Sequence, residues 1–229
     1  MRYAFDEHPQ ISVGIIGEES RFPIRRVYNV ARNYKKHVVE MGGELATNIP
    51  AYFLKPCDSV VECPAKIAYP MGTKDCHHEI ELVVALGQGG VNIGSNEVED
   101  MIYGYGVGID LTRRDLQDIT KKKRGPWDTA KSFDNSAPLS QINKASEIGH
   151  PKSGKIWLDI NGERRQEGNI SDLIVSVSEL LVDLSTLYEL KAGDLIYTGT
   201  PAGVGPIHKG DHITGGVEGV GELSLVILG

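Results

Sequence analysis

Glycine and proline interrupt this chain so often that little room is left for long regular elements: 27 glycines and 11 prolines fall among 229 residues. Glycine ends or bends regular structure through its backbone freedom, proline through its fixed φ and missing N–H. The periodic segments between them are short and mostly strand-like. Residues 11–16, 24–30, 51–54, 79–86, 104–109, 156–160, 163–166, 194–197 and 221–227 read as strands. Asn161-Gly162 between two of them predicts a tight hairpin, because a type I′ turn needs positive φ at both central positions. Helical spacing runs over 33–41, 97–103 and 112–122, and longest over 171–187, where Leu173, Ile174, Val177, Leu180, Leu181 and Leu184 share a face. Helices this few and this irregularly placed do not make a βαβ winding. The expected fold is α+β and β-rich, as a single unit over residues 1–229.

Charge and composition exclude several functions. The formal net charge is −7, and Lys121-Lys122-Lys123-Arg124 is the one basic run. It closes an expected helix, where cations complement the dipole, and it reads as a solvated terminus. No nucleic-acid partner is expected, since phosphate binding needs a sustained basic surface. No window approaches 18 apolar residues, so no membrane partner is expected either. The odd set Cys57, Cys63 and Cys76 has no C-x-x-C spacing, and the first eight residues lack an apolar signal core. A reduced, cytoplasmic protein is the expectation. The glycine-rich runs 103–108 and 199–205 have neither the dinucleotide-binding spacing nor a P-loop Lys-Ser/Thr.

The segment with most chemical content is His77-His78-Glu79-Ile80-Glu81-Leu82-Val83-Val84. On a strand Glu79 and Glu81 point the same way, roughly 6–7 Å apart, while Ile80, Leu82 and Val84 take the opposite, buried face. Aligned carboxylates repel unless water covers them or a cation sits between them, and hard oxygen donors favour Mg²⁺, Mn²⁺ or Ca²⁺. An ordinary half-exposed strand and a metal site are both open. Asp110 stands where an apolar strand gives way to a helix, as a cap or as a third ligand. Arg114 and Gln117, three apart, share a helical face that could meet a substrate carboxylate. Lys131 lies in a polar loop, solvated or functional. Lys55 interrupts an apolar stretch, and either snorkels to the surface or serves an anionic ligand. His37 and Glu40, also three apart, are a surface pair or an oriented acid/base.

Taken in order, Tyr28-Asn29-Val30-Ala31-Arg32-Asn33-Tyr34, Phe53-Leu54-Lys55-Pro56, Glu79-Ile80-Glu81, the run Gly108-Ile109-Asp110-Leu111-Thr112-Arg113-Arg114-Asp115-Leu116-Gln117, Ala130-Lys131-Ser132-Phe133-Asp134 and Thr198-Gly199-Thr200-Pro201-Ala202-Gly203-Val204-Gly205 resemble the fumarylacetoacetate hydrolase family. The resemblance runs from about residue 12 to the end of the sequence. It suits the short branch that includes acylpyruvate hydrolases and oxaloacetate-processing members. It implies a mixed β-sandwich roll with a few flanking helices, usually a homodimer, with Glu79, Glu81 and Asp110 as ligands of Mg²⁺ or Mn²⁺. It also implies that His37 with Glu40 activates water on a lid that orders when substrate binds. Lys131 would stabilise the developing enolate, helped by Arg114 and Gln117. Thr200 would hold the substrate carboxylate, with Arg32 and Lys55 as further substrate-binding residues. The implied substrate is a small 2-oxo acid, cleaved hydrolytically if it is an acylpyruvate such as fumarylpyruvate. Oxaloacetate tautomerisation or decarboxylation is the alternative use of the same site. Lys35 and Lys36, beside the lid base, could attract a second carboxylate on that substrate.

Overall fold

A computed structural model describes residues 3–40, 42 and 50–229. Met41, the last residue of the expected 33–41 helix, falls outside them.

Two large sheets dominate. In the eight-stranded sheet the strands run Ala51–Lys55, Val27–Ala31, Leu195–Tyr197, Ile80–Leu86, Ile102–Ile109, Ala137–Leu139 and Val60–Glu62, with Asn143–Lys144 also on Ile102–Ile109. In the five-stranded sheet the order is Glu163–Asn169, Lys155–Ile160, His212–Val217, Gly221–Leu228 and Ala65–Ala68. Both mix parallel and antiparallel pairs. The β-rich α+β expectation therefore holds, and no helix among the described residues is long and apolar enough to cross a membrane.

The two faces of the central strand explain how the sheets close. Ile80, Leu82 and Val84 join one apolar cluster with Leu158, Leu223 and Leu225 of the five-stranded sheet. The same cluster takes Leu180, Leu181 and Leu184 from the Val177–Leu187 helix. Val83 and Ala85 face a second cluster, with Val13 and Phe22 of the small Ser12–Gly14/Arg21–Pro23 hairpin. Every residue of Ile80–Leu86 is buried, as suits a strand covered on both faces.

Several expected boundaries move. The 171–187 helix begins only at Val177, because Ser176 accepts the Glu179 N–H while Glu179 returns to the Ser176 N–H, a reciprocal cap that starts a helix there. Residues 170–172 form one 3₁₀ turn before it. The 97–103 helix shrinks to Val98–Met101, since Ile102 already pairs with Leu86 as strand and Tyr103 continues that strand at a register shift. Thr112–Arg113 is strand paired with Cys76–His77, so the helix after it is Arg114–Lys123. Asn161 and Gly162 do take positive φ, at 53° and 83°, between strands Lys155–Ile160 and Glu163–Asn169. Strand His212–Val217 was not expected at all.

Candidate active site

Strand register assembles the acidic end of the site. Ile80–Leu86 and Ile102–Ile109 are antiparallel, with Ile80 opposite Ile109 and Glu81 opposite Gly108. One step further the Asp110 N–H donates to the Glu79 carbonyl at 2.8 Å. That puts Asp110 beside Glu79, although the two are 31 positions apart. Glu79 itself lies outside both strands, at the break between Cys76–His78 and Ile80–Leu86. Ligand oxygens of Glu79, Glu81 and Asp110 lie within 4.8 Å of one another. Their exposures are 5 %, 2 % and 1 %, which rules out a solvated polar face.

Three buried carboxylates this close need cations. Lys131, on the short Asp128–Lys131 helix, donates to Glu79 Oε2 at 2.9 Å, to Asp110 Oδ2 at 2.6 Å and to Thr112 Oγ1 at 2.5 Å. Arg114 donates to Glu79 Oε1 at 2.5 Å and to Gln117 Oε1 at 2.6 Å. Burial opposes the Glu79 charge, but Lys131 and Arg114 outweigh it and hold the carboxyl below its ordinary range. Burial likewise opposes the Lys131 charge, and Asp110 and Glu79 more than offset that, so it stays an ammonium. Glu81 is the exception. Burial, then Asp110 and Glu79, push its carboxyl well above the usual range, against the Gly199 N–H that donates to Oε2 at 2.7 Å.

This donor set fits a hard divalent cation. Glu81 has no cationic partner among the described residues. Asp110 Oδ1 is buried and makes no hydrogen bond. Lys55 Nζ comes within 2.9 Å of that oxygen, but off the hydrogen-bonding direction. Oxygen lone pairs converging from three carboxylates, with no sulfur or imidazole among them, suit Mg²⁺ or Mn²⁺.

The cavity above these carboxylates is lined by Arg32, His37, Gln117, Lys121, Lys131 and Thr200 as well. His37 sits on the Lys35–Glu40 helix, buried, with Nδ1 3.4 Å from Glu40 Oε2. Burial lowers its pKa, with Glu79 and Glu40 working the other way. Glu40 also accepts the Gly203 N–H at 3.0 Å, which ties the helix to the 199–205 loop. Asn33 ties its base: the side chain donates to Thr198 O and Val175 O and accepts from Val175 N. Thr200 Oγ1 accepts from Gln166 Nε2 at 2.8 Å.

Arg114 lines the cavity too, with its guanidinium on Glu79 and Gln117; Gln117 spends its carbonyl there and keeps its NH₂ free of protein partners among the described residues. One expectation needs correction. Lys55 does not line the cavity. It neither snorkels out nor faces a ligand: its ammonium is buried behind Asp110, on the carbonyls of Lys131 and Leu111. Thr112 and Lys121 were not singled out from the sequence as site residues, and both stand in it.

The family model described as fumarylacetoacetate (FAA) hydrolase C-terminal matches residues 26–227. A fumarylpyruvate hydrolase of a Ralstonia species is 44 % identical over 176 residues, 77 % of this chain and 91 % of that protein. An oxaloacetate tautomerase of Escherichia coli is 41 % identical over 194 residues, 84 % and 88 % of the two chains. The crystal structure of a fumarylpyruvate hydrolase from Pseudomonas aeruginosa, in complex with Mn²⁺ and pyruvate, superposes with a TM-score of 0.96 at 43 % identity over the whole of both chains. The chain belongs to the fumarylacetoacetate hydrolase family.

Proposed function

We propose that this chain is a metal-dependent hydrolase that cleaves the C–C bond of an acylpyruvate such as fumarylpyruvate, with residues 1–229 acting as one catalytic unit. The observation that carries the reading is the shared cavity: the same space is lined by the carboxylates of Glu79, Glu81 and Asp110 and by a buried imidazole, His37. The Ralstonia and Pseudomonas relatives support it.

Glu79, Glu81 and Asp110 would hold a Mg²⁺ or Mn²⁺ ion, which would supply Lewis acidity at the 2-oxo acid end of the substrate. The rest falls to the protein. His37, neutral because burial lowers its pKa, takes a proton from water. With Nδ1–H directed at Glu40, Nε2 is the nitrogen left to accept that proton. Hydroxide adds to the 4-carbonyl, the C3–C4 bond breaks, and its electron pair passes into the enolate of pyruvate. The carboxylic acid fragment departs, and the proton on His37 returns to C3. Lys131 is a fixed ammonium beside the oxygens where negative charge develops, so it contributes more in the transition state than before it. Thr200 and the free amide of Gln117 position the substrate carboxylate. Arg114 and Lys55 act through Glu79 and Asp110.

One observation favours a second reading, the E. coli oxaloacetate tautomerase at 41 % identity. Tautomerisation or decarboxylation of oxaloacetate passes through the same enolate and needs no attacking water. We further propose a cytoplasmic homodimer; the family resemblance and three free cysteines support it. Products resolved by NMR with Mg²⁺ present distinguish the reactions. Fumarate or acetate released with pyruvate is expected from fumarylpyruvate or acetylpyruvate. Fast enol-to-keto conversion of oxaloacetate without cleavage of either acylpyruvate would replace hydrolase with tautomerase.

A further inference from the structure

The cations around the cavity fall into two groups. Arg114 and Lys131 are spent on Glu79 and Asp110. Arg32 and Lys121 also line the cavity, yet neither has a carboxylate partner among the described residues. Lys121 follows Arg114 and Gln117 at seven and four positions on the Arg114–Lys123 helix, so all three share one face. That face separates it from Lys122, Lys123 and Arg124, which are exposed, and the basic run is not a uniformly solvated terminus. Arg32 closes the strand Val27–Ala31 with φ at 62°, the left-handed region that residues other than glycine rarely adopt. Such strain persists where the surroundings over-determine it, and ligand clamps are among the places it collects.

We infer that Arg32 and Lys121 bind a second carboxylate at the far end of the substrate, and so select 2-oxo acids that carry one. The inference rests on the reading of the cavity given above and names its substrate class. With a divalent cation and Lys131 balancing the three deep carboxylates, these two cations line the same cavity with no salt bridge among the described residues, and a substrate carboxylate is the group that completes them. Burial lowers the Lys121 pKa, and Arg114 and Arg32 add to this, which is the strain an anion would relieve. Lys35 and Lys36 do not serve this purpose: they line a separate cavity with Tyr34 and Pro201.

The test is the ratio of kcat/KM for fumarylpyruvate to that for acetylpyruvate in the Mg²⁺-loaded enzyme, before and after Arg32→Gln and Lys121→Met. Each substitution is expected to lower the ratio about tenfold, chiefly through KM for fumarylpyruvate. A parallel calorimetric measurement on Mn²⁺-loaded protein compares pyruvate with 2-oxoglutarate and needs no turnover. The parent is expected to bind 2-oxoglutarate more tightly, and each variant to lose about tenfold of that preference. Parent binding that ignores the second carboxylate, or variants that keep the parent ratio within twofold, would overturn the assignment. Failure to cleave either acylpyruvate, with the binding preference intact, would instead strike the hydrolase reading alone.

Discussion

At the deep end of the cavity charges are matched almost one for one, whereas at its mouth they are not. Glu79 faces Arg114 and Lys131, and Asp110 faces Lys131 and Lys55, all of them buried. Arg32 and Lys121 have no such partners among the described residues, and Arg32 is exposed. Burying ions is costly, and a well-packed apolar set of the same shape would stabilise the fold as well or better. The deep network is therefore explained by what it does to a ligand. Its orientation is set before substrate arrives, while the mouth is completed by the substrate itself. Glu81 marks the border: it is buried like the first group, but among the described residues it has no salt bridge, like the second.

Lys131→Met breaks the comparison most severely. It leaves Glu79 and Asp110 short of a buried partner, which costs about 3–5 kcal/mol of stability, and it removes the ammonium at the developing enolate, which costs about 10²- to 10³-fold in kcat. Urea unfolding and turnover of fumarylpyruvate measure the two losses; a kcat within fivefold of the parent would return Lys131 to a purely structural part.

His37 sharpens the contrast through pH. It must be unprotonated to act as a base, and burial holds its pKa below the ordinary 6.5. As pH falls, activity therefore survives through 6.5 and is lost only as the lowered value is crossed. A plot of kcat/KM against pH with its acid limb at or above 6.5 would contradict this. His37→Ala is expected to remove hydrolysis by about 10²- to 10⁴-fold while metal binding persists.

Gly199→Ala gives the smallest of these effects. Its φ of +101° suits glycine, and a Cβ there would lie 2.7 Å from the Asn33 Cβ. The expected cost is about 1–3 kcal/mol in thermal or urea unfolding, with weaker metal binding because the Gly199 N–H holds Glu81. A variant as stable as the parent would show that the loop has room to shift.

Much of the acidic end is legible in the sequence because it depends on short-range rules. Alternation puts Glu79 and Glu81 on one side, and a strand end offers Asp110. What stays hidden depends on partners far along the chain. Lys55 reads as snorkelling or ligand-binding, because the carbonyls that hold it are 56 and 76 positions away. Thr112 carries no charge to flag it, and it reaches Glu79 only because Thr112–Arg113 pairs as strand with Cys76–His77. The inward turn of Lys121 was available in its spacing from Arg114 and Gln117, but four consecutive cations mask which one faces in. Strand His212–Val217 stays hidden because Gly215-Gly216 interrupts the alternation that marks a strand. The structure uses Gly215 for close approach instead: a Cβ there would lie 2.8 Å from Ile80 Cδ1, between the two sheets. The Ser176–Glu179 cap is legible as S-x-x-E, a pattern that marks a helix start at Val177.

The central claim is that Glu79, Glu81 and Asp110 form a divalent-metal site. Calorimetric titration of Mn²⁺ into the metal-stripped protein, compared with Glu81→Ala, tests it most directly. The account predicts one ion bound per chain and no measurable binding in the variant, with hydrolysis lost alongside. A parent that binds no Mn²⁺, or a Glu81→Ala chain that binds it as tightly as the parent, would contradict the account.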